Sequence, residues 1–165
     1  MTIREIQSTE VLDYKQFLMQ GLEQDHQNFR ISPSDEMKEP FPTIGTTDSF
    51  TLGAFTDNGL AGVVSFQREG QNREKLRHKG LLFRMYISPL FRGQGIGSLL
   101  MQALLERVTK LPDIEQINLT VVSNNVVAKK LYEKFGFYSF AKEINALKWK
   151  DSYYTEEQMV LFLKK

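Results

Sequence analysis

Three glycines alternate with other residues in the stretch RGQGIG, and an apolar helical pattern begins directly after them. Gly93, Gly95 and Gly97 each cost the chain backbone entropy, which suggests that something must approach the backbone closely. The start of a helix carries unpaired N–H groups and a partial positive charge. The loop therefore predicts a phosphate-binding site. The alternative, a tight turn with glycines for packing, suits a single glycine better than three.

Two common phosphate-binding signatures fit this loop poorly. A Walker loop needs a Lys and a Ser or Thr after its last glycine, and that Lys is missing here. A dinucleotide fingerprint needs a third glycine where Ser98 stands, and an acidic residue near the end of the next strand. That acidic residue is expected about 20 residues after the glycines. Asp113 lies at about that distance, but it precedes the strand, which ends in Val122-Ser123-Asn124. A dinucleotide-dependent oxidoreductase is therefore a weak alternative.

A second group of polar residues lies in a predicted helix further along the chain. Asn125 and Tyr132 are seven residues apart, which places them on one helix face with the small Ala128 between them. A ligand could run along such a face and contact the helix at two points. The alternatives are that Asn125 only caps the helix and that Tyr132 is a core aromatic residue.

The elements around the glycine loop form a strand–helix–strand unit. A strand predicted from LLFRMYI ends at Ser88-Pro89, because proline cannot donate to a ladder. An amphipathic helix begins at Ile96, and the β-branched strand INLTVV follows it. The unit from Leu81 to Val122 predicts two parallel strands with a right-handed crossover.

In the rest of the sequence, outside the unit from Leu81 to Val122, local signals indicate further strands and two helices near the N-terminus. A helix capped by Thr9 follows the strand TIREI, and Asp25–Ser49 is predicted as a loop with a short helix capped by Ser34. The turn Asp57-Asn58-Gly59 predicts a hairpin. The order is β, α(α), βββ, α, β, α, ββ. We therefore expect one α/β domain over residues 1–165, with a mixed sheet of about seven strands.

Composition narrows the classes of function. A net charge of +1 gives no electrostatic argument for binding nucleic acid or a membrane surface. There is no apolar run long enough to cross a bilayer, and the first residues are too polar for a signal peptide. The absence of cysteine excludes a thiolate metal site and a Cys nucleophile. A cytoplasmic protein without a metal is the expectation.

The glycine loop and the helix with Asn125 and Tyr132 both match motifs of one family. The stretch YISPLFRGQGIG resembles motif A of the GNAT superfamily, the acyl-CoA-dependent N-acyltransferases, whose pattern [QR]-x-x-G-x-[GA] is met by Arg92, Gly95 and Gly97. The stretch NVVAKKLYEKFGF, from Asn125 to Phe137, resembles motif B. The resemblance covers Gly53–Phe137 well. It implies the GNAT fold, a mostly antiparallel mixed sheet with a splayed parallel pair flanked by helices.

The resemblance also implies roles for individual residues. The co-substrate would be acetyl-CoA, whose pantetheine arm would lie along the backbone of the strand before the loop. Its pyrophosphate would accept hydrogen bonds from the loop, and Tyr132 would protonate the departing thiolate. The cofactor-binding residues implied are Met85, Tyr86, Ile87, Arg92, Gly93, Gln94, Gly95, Ile96, Gly97, Ser98 and Asn125.

The chemistry of acyl transfer agrees with this assignment. An alkyl ammonium has a pKa of about 10.4 and must lose a proton before it attacks a thioester. The thiolate that leaves, with a pKa of about 8.5, benefits from a donor such as a Tyr hydroxyl. The backbone near Ile87 is the candidate donor to the thioester carbonyl oxygen. Without a Cys nucleophile, direct attack in a ternary complex is favoured.

The general base and the acceptor stay open at this point. Some family members have a Glu on the motif A strand, but Leu81 takes that position here. Glu69 and His78 are weaker candidates. The acidic residues Glu36 and Glu39 hint at a cationic amine. The acceptor could be a small molecule or a peptide, the acyl group could be longer than acetyl, and a homodimer is one option. A non-catalytic acyl-CoA sensor is the alternative function.

Overall fold

A seven-stranded sheet with helices on both faces makes up the chain. The computed structural model describes residues 1–44, 46 and 48–164. Single turns of 3-10 helix occur at Ser8–Glu10, His26–Asn28 and Pro89–Phe91. The strands and helices are β1 (Thr2–Glu5), α1 (Val11–Gln24), α2 (Pro33–Lys38), β2 (Phe50–Thr56), β3 (Gly59–Arg68), β4 (Lys79–Ile87), α3 (Ile96–Val108), β5 (Gln116–Val122), α4 (Val126–Lys134), β6 (Tyr138–Trp149) and β7 (Ser152–Phe162).

The strands lie in the spatial order β1-β2-β3-β4-β5-β7-β6. Strands β4 and β5 are parallel and are joined by the crossover helix α3, whereas the other neighbouring pairs are antiparallel. The mixed sheet, its parallel pair and the predicted order of elements are therefore confirmed. Among the described residues, no helix has the length and apolar character needed to cross a membrane.

The parallel pair separates after a short contact. Pairing between β4 and β5 runs only from Lys79 opposite Gln116 to Leu81 opposite Asn118. Beyond this point β4 has a bulge against β3, where the register shifts and Arg84 adopts a left-handed φ of 51°. A bulge bends its strand and increases the local twist. The result is a wedge between β4 and β5, open towards the carboxyl ends of both strands.

Two apolar clusters hold helices against the faces of the sheet. On one face, residues of α3 such as Leu100 and Leu104 pack with Leu119 of β5 and with Tyr132 of α4. On the other face, α1 buries Tyr14, Leu18 and Leu22 together with Tyr86 of β4. The α1 residues recur at helical spacing, as expected for an amphipathic helix with one buried stripe. The wedge thus lies between two firmly packed layers.

Three turn and cap predictions have different outcomes. The hairpin at residues 57–59 is confirmed, and Gly59 takes the expected positive φ of 97°. Thr9 does not cap α1, because Ser8–Glu10 forms a 3-10 turn and Glu10 precedes the helix. Ser34 does not cap α2 either, since Pro33 occupies the first helical position. Ser32 is the cap, and its hydroxyl accepts from the Asp35 N–H at 3.1 Å.

Candidate active site

A groove follows the wedge between β4 and β5. One part, the loop end, is a cavity of about 290 Å³ lined by the carboxyl end of β4, the glycine loop and α4. The other part, the strand end, is a cavity of about 290 Å³ lined by residues 81–85 of β4, residues 119–121 of β5, Tyr132 and residues 28–31. Asn28, Phe29, Met85, Asn125 and Ala128 line both cavities. The two ends therefore form one continuous groove.

The loop end presents a row of unpaired backbone N–H groups. The first helical N–H with a backbone acceptor is that of Leu99, which donates to the Gly95 carbonyl at 3.1 Å. The N–H groups of residues 93–98 have no backbone acceptor among the described residues. They lie at the positive end of the α3 dipole. The arrangement can bind an anionic group without any charged side chain.

The three glycines of the loop serve two different purposes. Gly93 and Gly95 adopt left-handed φ angles of 75° and 79°, and a Cβ on either would meet no heavy atom within 4 Å. Their backbone therefore faces open space in a conformation that side chains disfavour. A Cβ on Gly97 would lie 3.0 Å from Leu131 of α4. This third glycine lets α3 and α4 approach each other.

The side chains of Arg92 and Gln94 make hydrogen bonds to neighbouring protein groups. The Arg92 Nε donates to the Ile87 carbonyl at 3.1 Å, and its Nη2 lies 2.5 Å from the Asp25 carboxylate. Arg92 lines the loop end. Gln94 donates to the Leu90 carbonyl at 3.3 Å, and its side chain does not line the loop end. Both side chains fix the loop, and Arg92 ties it to the end of α1.

The free edge of β4 forms one wall of the groove. Met85, Tyr86 and Ile87 all line the loop end, and β5 no longer pairs with this part of β4. Strand N–H and C=O groups on an unpaired edge can pair with another extended chain. The Tyr86 side chain packs away from this edge, against Phe17 and Phe29. Its contribution to the groove is therefore its backbone.

Helix α4 forms the opposite wall. Asn125 caps the helix by accepting from the Ala128 N–H at 3.2 Å, and it also lines both ends of the groove. Ile96 and Ser98, at the start of α3, line the loop end as well. Tyr132 lines the strand end and is only 6% exposed. Burial raises the pKa of the Tyr132 hydroxyl, so the group keeps its proton at neutral pH.

The strand end has an ion-pair cluster that the sequence did not reveal. The fully buried Glu36 of α2 lies 3.0 Å from Arg84 and 3.4 Å from the Lys15 ammonium. Arg84 also lies 3.3 Å from Glu39. The acidic residues that hinted at a cationic acceptor are thus already paired with cations of the protein. They hold the Arg84 side chain and with it the β4 bulge.

Other sequence candidates lie away from the groove or carry no titratable group. Glu69 and His78 belong to the β3–β4 connection, at the opposite end of β4 from the loop. Leu81 lines the strand end, where it has no titratable group. The described residues hold no group of three or more His, Cys, Asp or Glu side chains that could bind a metal ion.

Comparison with known proteins identifies the family. The sequence model of the acetyltransferase (GNAT) family matches residues 15–137, which include the glycine loop and all of α4. The chain belongs to this family. The resemblance found in the two motifs is therefore confirmed, and the alternatives of a dinucleotide enzyme and a non-catalytic sensor are not favoured.

A relative of known acceptor matches only part of this GNAT chain. The spermine/spermidine N(1)-acetyltransferase of Bacillus subtilis strain 168 is 34% identical over 56 residues, which are 34% of this chain and 37% of that protein. The chain thus spans little more than a third of the length of the curated relatives it matches.

Solved structures show the same fold over nearly the whole chain. A GNAT-family acetyltransferase from Streptococcus pneumoniae is 23% identical, covers 98% of this chain and 99% of its own, and has a TM-score of 0.83. Ribosomal-protein-alanine N-acetyltransferase from Brucella melitensis is 15% identical, covers 99% and 100%, and has a TM-score of 0.78. At these identities the likeness concerns the fold.

Proposed function

We propose that the protein transfers an acetyl group from acetyl-CoA to a primary amine by direct attack in a ternary complex. Members of the GNAT acetyltransferase family use acetyl-CoA as co-substrate. The observation that carries the proposal is the shared groove. It has unpaired N–H groups at the loop end, a free strand edge along one wall and a buried Tyr hydroxyl at the strand end. These are the parts needed to bind a diphosphate, an extended pantetheine arm and a thioester.

In this proposal the loop end holds the nucleotide part of the co-substrate. The N–H groups of Gly93, Gln94, Gly95, Ile96, Gly97 and Ser98 bind the pyrophosphate. Lys134 reaches Ser98 at 3.3 Å and adds positive charge close by. The free edge of Met85, Tyr86 and Ile87 pairs with the pantetheine amides, as an added strand would. Asn125 contacts the arm from the opposite wall, and Arg92 keeps the loop in place.

Tyr132 is the proposed general acid. When the amine attacks the thioester carbon, the C–S bond breaks and the sulfur leaves with the electron pair. A protonated Tyr hydroxyl can then transfer its proton to the thiolate. Because burial raises its pKa, Tyr132 is protonated over the whole pH range in which the enzyme would work. The hydroxyl therefore holds the proton that the acid role requires, and it does not act as a base at neutral pH.

The acceptor belongs to the class of primary amines. The partial relative in B. subtilis is named for spermine and spermidine, whereas one structural neighbour is named for a ribosomal protein alanine. We propose a small-molecule amine, since the partial sequence relative is named for such acceptors. A polyamine is the first compound to test.

Replacing Tyr132 by Phe tests the proposal. We expect Tyr132→Phe to lower kcat about 100-fold, the lower range for loss of a proton donor, with little change in CoA affinity. Thiol release from acetyl-CoA with a panel of amines measures kcat, and calorimetry measures CoA binding. Tyr138→Phe, on the exposed part of β6, is the control and should leave both unchanged.

Three kinds of result would contradict the proposal. Equal losses in kcat and in CoA affinity, or no loss, would remove Tyr132 from the role of acid. Tight CoA binding by the unmodified protein without turnover on any amine would favour an acyl-CoA sensor. Binding of NADH but not of CoA would instead favour the oxidoreductase.

A further inference from the structure

A buried carboxylate on β7 has no role in the fold or in the chemistry described above. Glu156 is 2% exposed, and the described residues give its Oε2 no well-aligned hydrogen bond. Its neighbour Glu157 contacts Lys129 of α4. Because successive strand residues point to opposite faces, Glu156 faces the α1 side of the sheet. Buried charges without full compensation are costly and call for an explanation.

The position of Glu156 is beside the strand end of the groove. It lies opposite Val122 on β5, and Thr120 lies on the same face one pleat away and lines the strand end. On its other side it lies opposite Glu143 of β6. Like charges directly opposite each other are destabilising. Two carboxylates therefore lie opposite each other on this face of the sheet, one pleat away from Thr120 of the strand end.

Arg30 is the cation that covers this carboxylate pair. Its Nε lies 2.9 Å from the Glu156 Oε2, and Arg30 itself lines the strand end. The Arg30 side chain is 63% exposed, so the lid over Glu156 is a single side chain that reaches in from the surface. Burial raises the pKa of Glu156, Arg30 lowers it, and Glu143 raises it again. One guanidinium thus compensates the two carboxylates incompletely.

We infer that Glu156 binds the ammonium group of a cationic acceptor amine, and that Arg30 occupies this place when the acceptor is absent. The inference rests on the proposed function. The Arg30 side chain already lies largely in water, so it can leave Glu156 at little cost when another cation takes its place, whereas its loss without a replacement would leave a buried carboxylate uncompensated. An ammonium that enters from the groove gains the carboxylate of Glu156, with Glu143 beside it. The acceptor class is an aliphatic amine with net positive charge, such as a polyamine.

The alternative is that Arg30 is itself the recognition residue. Its guanidinium could bind the carboxylate of an amino-acid acceptor, since arginine pairs well with carboxylates. The two possibilities predict opposite effects of removing Arg30. If Arg30 competes with the acceptor, Arg30→Ala increases the fraction of protein that is ready to bind and lowers the apparent Kd. If Arg30 binds the acceptor, the same change weakens binding.

Calorimetry with spermidine, in the presence of CoA, tests the inference without requiring turnover. We expect Glu156→Gln to weaken spermidine binding about 10-fold to 100-fold, the loss of one hydrogen bond to a charged group. We expect Arg30→Ala to strengthen it. Glu157→Gln is the matched control, because it removes another buried carboxylate, at the adjacent position on the opposite face. CoA affinity should stay unchanged in all three variants, which shows that they are folded.

The outcomes separate this inference from the proposed function. Spermidine binding that depends on Glu156, without acetylation, would support the inference and contradict the function. Acetylation with an unchanged KM for spermidine in Glu156→Gln would overturn the inference and leave the function standing. Loss of binding in Arg30→Ala, or preferred binding of glutamate over spermidine by the unmodified protein, would also overturn it.

Discussion

The two ends of the groove use different chemical groups: the loop end presents backbone N–H groups, and the strand end presents side chains. At the loop end the groups that can bind an anion are backbone N–H groups from one continuous stretch, residues 93–98. The strand end is lined by residues of β4, β5, α4 and the segment after α1, and ion pairs such as that between Glu36 of α2 and Arg84 of β4 hold it in place. The loop end is thus a local structure, and the strand end is a product of tertiary packing.

This difference predicts different sensitivity to substitution. Backbone donors cannot be replaced by a side chain, so the loop end is sensitive to anything that fills its space or changes its charge. At the strand end, each charged group has partners that can partly compensate its loss. Acceptor preference should therefore be easier to change by substitution than co-substrate preference.

The largest effect is expected at the loop end. Gly95→Asp places a carboxylate where the loop opens to the groove, next to the proposed diphosphate site. We expect the Kd for CoA to rise about 100-fold or more, because like charges brought together cost several kcal/mol. Gly59→Asp is the matched control, since Gly59 also has a positive φ and open space but lies in the β2–β3 hairpin.

Calorimetry of CoA binding by both variants measures the effect. Equal weakening in Gly95→Asp and Gly59→Asp would mean that backbone strain, and not the site, causes the loss. Unchanged affinity in Gly95→Asp would remove the loop from the binding of CoA, and the distinction between the two ends would fail.

A smaller effect, on stability, is expected for the ion-pair cluster of the strand end. Glu36→Gln leaves Arg84 and Lys15 without their shared buried partner. We expect the free energy of unfolding to fall by about 2 to 3 kcal/mol, somewhat less than for other broken buried pairs because Glu39 still contacts Arg84. Urea denaturation at pH 7 measures the loss, with the exposed Glu106→Gln as control.

The same variant tests whether the two ends are independent. CoA affinity in Glu36→Gln should stay within about 2-fold of the unmodified protein, as expected for sites without shared partners. A large loss of CoA affinity would show that the ion-pair cluster also positions the free edge of β4. CoA binding at the loop end would then depend on packing at the strand end.

The same contrast explains what could be predicted from the sequence. The glycine loop, helix α3 and the hairpin at residues 57–59 depend on neighbours in the chain, and their residue types indicate their conformation. The succession of strands and helices along the chain followed from such local signals. Family motifs then assigned roles to Asn125 and Tyr132, and these roles stay predictions.

The strand end could not be predicted in this way. Glu36 and Arg84 are 48 residues apart in the sequence. Helix and strand periodicity relates residues within one element, so it does not predict that these two side chains meet. The left-handed φ of Arg84 has no signal either, since arginine has no preference for that region. The pairing of Arg30 with Glu156 likewise depends on how the segment after α1 folds over β7. The predicted cap of α2 fails for a related reason, because Ser32, two residues before Ser34, can take the same role.

The smallest expected effect belongs to a local ion pair far from either end. The Glu10 carboxylate lies 2.6 Å from Arg4 and accepts from the Gln7 N–H at 2.9 Å. These contacts, the Arg4 hydrogen bond first, lower the pKa of Glu10 to about 2. A pKa below the unfolded value of about 4.3 means that Glu10 stabilises the fold above that pH and that the contribution disappears as the pH falls towards about 2.

Glu10→Gln should therefore destabilise the protein at pH 7 by less than about 1 kcal/mol, the usual range for exposed ion pairs. Urea denaturation at several pH values should show this difference shrinking between pH 4.3 and about 2, where the unmodified protein also carries a neutral Glu10. A difference that stays constant over this range would mean that the side chain acts through packing and not through charge. A loss at pH 7 as large as that of Glu36→Gln would contradict the view that burial separates the two kinds of ion pair, because Glu10 is local and partly exposed whereas Glu36 is fully buried.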